Sequence, residues 1–90
     1  MTTAAAEWLA KKGPVLVGAD NGGVEVQPNP DASISLPVHQ IMLVVHGIHL
    51  LENLKLEELA AKQAWEFAFM VQPLKMQGGT GSTVAPVAVR

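Results

Sequence analysis

Cysteine is absent from the 90-residue chain, which excludes disulfide bridges and thiolate metal sites alike. Charge is scarce as well. Only 16% of the residues are Asp, Glu, Lys or Arg, against about 25% in an ordinary soluble domain. The six basic residues are spread along the chain, so the clustered basic face of a nucleic-acid binder is missing. No apolar run approaches the ~20 residues of a membrane-spanning helix. The opening residues, Thr2, Thr3 and three alanines, lack the basic start and apolar stretch of a secretory signal. These absences predict a cytoplasmic protein that binds neither nucleic acid nor membrane.

What is present is apolar. Hydrophobic residues make up 49% of the chain, far from the polar, highly charged composition of disorder. The length suits one small domain, residues 1–90, which buries only roughly 60–65% of the surface its unfolded chain exposes. A chain this short and this apolar cannot hide all its hydrophobic surface, and large exposed patches mark interfaces. A homo-oligomer is expected.

Periodicity gives the elements. Residues 3 to 12 read as a short helix with a stripe of Ala5, Trp8 and Leu9, stopped by Gly13-Pro14. Val15 to Val17 reads as a buried strand running into the loop Gly18 to Gly23. Val24 to Val26 suggests a brief extended segment, and residues 27 to 35 a Pro/Asn/Asp/Ser loop. A second helix is predicted from Pro37, a residue suited to the first helical position, to Gly47. Its interior is apolar on almost every side, which predicts burial of most of its surface. A strand over Ile48 to Leu51 and a helix over Leu56 to Lys62 follow. Trp65 to Val71 alternates with the period of a strand, Leu74 to Gln77 resumes it, and a last strand is expected at Val84 to Val89. Pro86 places that strand at an edge or bulge. Together these predict an α/β fold, with short helices packed on a small mixed sheet.

Three histidines are the first candidates for chemistry. His39 and His46 share a face of the second helix, but seven residues rise about 10.5 Å, too far for one ion. Read alone, each histidine suits a hydrogen-bonded interior or interface position better than a ligand position. His49 lies in the following strand, and Glu52 ends it at a position from which ligands often come. Glu52 also suits a bond to the Asn53 turn. Asp20 follows a buried strand at the mouth of a flexible loop, and serves equally as a turn former. The turn Gly78 to Ser82, with Thr80 at its centre, lacks the lysine and following helix of a phosphate loop. No complete catalytic constellation is legible from these residues.

Longer stretches carry a resemblance. They are Ala6-Glu7-Trp8-Leu9-Ala10, Leu16-Val17-Gly18-Ala19-Asp20, Gly23-Val24-Glu25-Val26 and Pro37-Val38-His39-Gln40, then His46-Gly47-Ile48-His49-Leu50-Leu51-Glu52-Asn53-Leu54, Trp65-Glu66-Phe67-Ala68-Phe69, Pro73-Leu74-Lys75, and Gly78-Gly79-Thr80-Gly81-Ser82 running on to Val87. In this order they resemble the C-terminal part of the cyclase family of metal-dependent hydrolases, which includes bacterial kynurenine formamidase and isatin hydrolase. The resemblance covers almost the whole chain. It implies the C-terminal part of a swivelling α/β fold, usually oligomeric, with a zinc or manganese centre that activates water to hydrolyse an amide. It also implies that His39 and Glu52, 13 residues apart, occupy metal-ligand positions. Asp20, His49 and Thr80 fall where a pocket is implied. The family's N-terminal H-x-G-T-H-x-D motif, which carries most of the ligands, has no counterpart among the three histidines here. The loop Asp20 to Gly23 carries small residues where relatives often have a bulky one.

Three functions follow as expectations. The first is a truncated hydrolase-family module, non-catalytic alone and oligomeric. The second is an amidohydrolase whose metal site is completed between chains, with His39 and Glu52 from each subunit. The third is a binding module for a small aromatic amide, near Trp65 and Phe67 or the glycine-rich turn.

Overall fold

In the computed structural model, which describes Met1–Arg90, helix α1 runs over Thr3–Ala10. Thr2 starts it: its Oγ1 accepts the Ala5 N–H at 3.3 Å, satisfying a donor that the first turn leaves free. Gly13, at φ +67°, ends the turn that follows. The buried stripe is Ala6 and Ala10, one helical turn apart, with Leu9 partly buried beside them. Trp8 is not part of it. The indole is exposed and lies beneath the Lys12 ammonium, 5.0 Å from the ring centroid.

Strand β1 (Leu16–Gly18) pairs in parallel with β2 (His49–Leu51), Leu16 opposite His49 and Gly18 opposite Leu51. Both strands lie one residue beyond the predicted starts. Bonds from the His49 N–H to the Val15 carbonyl and from the Leu54 N–H to the Ala19 carbonyl prolong the pairing at each end. A parallel pair needs a crossover, and here residues 19 to 48 supply it. Within the crossover, Val24 to Val26 forms bends and no strand.

The crossover contains helix α2, which begins with an α-helical turn over Pro37–His39 and continues as π-helix over Gln40–Val45. Its i→i+5 bonding is seen where the His46 N–H reaches the Ile41 carbonyl at 3.1 Å. Gly47, at φ +65°, terminates it. Val38 and Met42 are wholly buried, and with Ala6, Ala10, Val24 and Ile48 they form the core. Burial on almost every side, expected from composition, is not what the helix has. Val44 is 80% exposed and Val45 70%, since the parallel pair and α1 cover only one face.

Contacts divide the chain into two compact units, Met1–Lys55 and Leu56–Arg90. The second holds α3 (Glu57–Ala61) and an antiparallel pair, β3 (Ala68–Met70) with β4 (Val87–Val89). Phe67 and Phe69 meet edge to face at 6.1 Å. The strand expected over residues 65 to 71 shrinks to three residues, and no strand forms at 74 to 77. β4 offers only three residues as partners, and Pro86, immediately before it, has no N–H to give. The fold is small, mixed α/β, with short helices and two two-stranded sheets instead of one mixed sheet. No helix is long and apolar enough to cross a membrane.

Candidate functional site

Three segments converge on His39. It is the last α-helical residue before the π segment and the third residue of its helix, where a backbone N–H has no partner within the helix. Glu25, fourteen positions earlier, supplies that partner: its Oε1 accepts the His39 N–H at 2.8 Å. The same oxygen lies 3.0 Å from His39 Nδ1. A carboxylate oxygen only accepts, so Nδ1 is the donor in this contact. The other ring nitrogen, Nε2, lies on the side of the third segment. Glu52, directly after β2, places Oε1 3.8 Å from Nε2. The Val24 N–H donates to the same Glu52 oxygen at 3.0 Å.

Burial is graded across the cluster. The Glu25 side chain is only 3% exposed, whereas those of His39 and Glu52 are each 29% exposed. The Glu25 carboxylate is therefore the most enclosed group of the cluster, and His39 and Glu52 are its more accessible members. The dipeptide Val24-Glu25 braces both outer groups, one through its main chain and the other through its side chain.

Donor chemistry limits what this arrangement can do with a metal ion. Imidazole nitrogen and carboxylate oxygen suit zinc or manganese. Bonds of about 2.0–2.2 Å to each donor span a gap of 3.8 Å with the ion between them. Glu25 is committed to Nδ1 and is no ligand, which leaves two donors. No group of three or more histidine, aspartate or glutamate side chains is arranged to hold an ion, and a catalytic zinc takes three protein ligands.

Of the residues singled out from the sequence, His39 and Glu52 come together and the others stand apart. Asp20 is exposed in the loop after β1, and His49 is exposed on β2. His46 is exposed at the end of the π segment. Thr80 is exposed in the glycine-rich turn, where the Ser82 hydroxyl accepts the Leu74 N–H at 3.1 Å.

Sequence reasoning missed Glu25 as a site residue. Its one available signal was a carboxylate between two valines, in a segment otherwise free of charge. A cavity of about 300 Å³ borders it, lined also by Val26, Pro28, Asn29, Ile34 and Pro37. The loop closing that cavity is tied by the Asn29 side-chain amide, which donates to the carbonyls of Asp31 and Ile34 at 2.9 Å each. Asp31 Oδ1 in turn accepts from Ser33 Oγ at 2.6 Å and from the Ser33 N–H at 2.9 Å. The hydroxyl bond first, then the backbone bond, holds the Asp31 carboxyl below the usual carboxylate range, against a small opposing effect of desolvation.

No family model matches the chain, and neither does any curated protein or solved structure.

Proposed function

We propose that the chain is a cyclase-like hydrolase module, catalytically silent alone and oligomeric, in which His39 and Glu52 form half of a zinc or manganese centre. One observation carries the reading: His39 Nε2 faces Glu52 Oε1 across 3.8 Å while its other nitrogen is tied to a buried carboxylate. Histidines that bind metals commonly carry such a partner on the second nitrogen. A divalent ion held there with its coordination completed polarises a carbonyl and supplies a nucleophile at neutral pH. Two donors do not complete it, which is the reason for silence.

Association is supported by the surface. Eight hydrophobic residues are buried, while fifteen large ones, Val15, Val44 and Trp65 foremost, stay exposed. Exposure on that scale is what an interface covers.

The test combines light scattering on a sizing column with zinc titration by calorimetry and an assay on formyl-amide and cyclic-amide substrates. An assembled species is expected, binding zinc through a site lost in His39→Ala and in Glu52→Ala, without amide turnover. Zinc binding unchanged in both variants overturns the half-centre. Turnover by the wild-type chain overturns the silence, and a monomer removes the oligomer.

A further inference from the structure

We infer that Glu25 is a positioning residue: it locks His39 in the Nδ1–H tautomer and so presents the Nε2 lone pair toward Glu52. The inference builds on the half-centre reading but stands on its own geometry. A free imidazole prefers its proton on Nε2, so a histidine held the other way requires an acceptor at Nδ1. Glu25 Oε1 is that acceptor, at 3.0 Å. The contact is hard to break. The same oxygen holds the His39 backbone N–H at 2.8 Å, so the ring and its own main chain are pinned to a single point. The carboxylate is buried, which keeps water from competing for the ring proton.

Glu52 is anchored from the same segment. The Val24 N–H fixes its Oε1, so one dipeptide sets the separation between the two outward donors. A carboxylate that only capped the helix would bind the backbone N–H and leave the ring free to choose its tautomer. The approach of Oε1 to Nδ1 is what distinguishes positioning from capping.

Ring-nitrogen NMR on the uniformly labelled chain reads this directly, in alkaline buffer where an ordinary imidazole is neutral. The wild-type His39 is expected to show a protonated Nδ1 and a bare Nε2. Glu25→Gln keeps an acceptor oxygen of the same reach and should retain that pattern. Glu25→Ala should lose it, with the proton moving mainly to Nε2. In the same variant zinc affinity should fall about 10–100-fold, as for other partners of ligating histidines.

A wild-type ring protonated on Nε2 overturns the inference, even if the alanine variant fails to fold. An alanine variant that is folded by circular dichroism and keeps the Nδ1 proton overturns it equally. Zinc added to the wild type separates this claim from the one it builds on. If the Nε2 resonance does not move, the half-centre fails while the tautomer result stands.

Discussion

Asp31 is fully exposed, yet its carboxylate is not free: two donors of Ser33 close on a single oxygen. Both bonds favour the ionised form, so the folded-state pKa lies below that of the unfolded chain. The contribution of this turn is therefore present at neutral pH and is lost as pH falls through the depressed folded-state value. A carboxyl titration followed by NMR should place Asp31 below the usual carboxylate range. Ser33→Ala removes the hydroxyl donor, the larger cause, and should move the midpoint upward. An unchanged midpoint would show that the hydroxyl bond is not formed in solution. The same scale explains what the sequence could convey about the site. His39 and Glu52 stood out through the company they keep in the chain, a helix start and a strand end. Glu25 did not, because its role depends on a crossover that brings residue 25 against residue 39. Nothing in Val24-Glu25-Val26 as a string of letters encodes that approach.

Among the elements, helix ends carry the sharpest local rules. Helix α3 closes with the Gln63 N–H on the Ala60 carbonyl and the Ala64 N–H on the Leu59 carbonyl, a Schellman pattern. That pattern demands a left-handed residue at Gln63, which sits at φ +49°. Glycine takes this conformation without steric cost, and the chain uses it after α1 and α2, at Gly13 and Gly47. Gln63→Gly should therefore stabilise the chain by about 0.5–1 kcal/mol, measured by urea denaturation. A loss of stability would mean that the Gln63 side chain makes a contribution in solution that outweighs the relief.

Element types were largely legible: three helices and the two strands of the first sheet lie where apolar spacing, Pro37 and the glycine stops put them. Among the features that were not, two have a clear physical reason. A switch from i→i+4 to i→i+5 bonding leaves no mark in the composition of Gln40–Val45. Strand length in the second unit is set by the partner strand, so alternation over residues 65 to 71 overstated it.

For the molecule as a whole, the distribution of burial is uneven. Every residue of the core cluster lies within Met1–Lys55, whereas in Leu56–Arg90 only Ala64 is buried. Both strands of the β3–β4 pair are exposed along their length, and a two-stranded ribbon is marginal in water without cover. Local opening should cost far less there than around β1 and β2. Native-state hydrogen exchange should accordingly find the Phe69 amide exchanging more than about tenfold faster than those of Ile48 and Ala19. Equal protection in the two places would mean that the second unit gains support beyond its own contacts, as it would inside an assembly.

The parallel register of β1 with β2 sets a timetable. Leu16 meets His49 only after 33 residues have looped back, a closure that costs on the order of 3 kcal/mol of chain entropy before any pairing offsets it. Contacts of such long range are the slow ones, whereas the turns of α1 and α3 join near neighbours and form early. The Val24 N–H can reach Glu52, which follows β2 directly, only once that loop has closed. On a ribosome, helix α1 can form while the chain is still emerging. The Glu52 side of the His39 cluster must wait until residue 52 has cleared the exit tunnel, so the site is completed late.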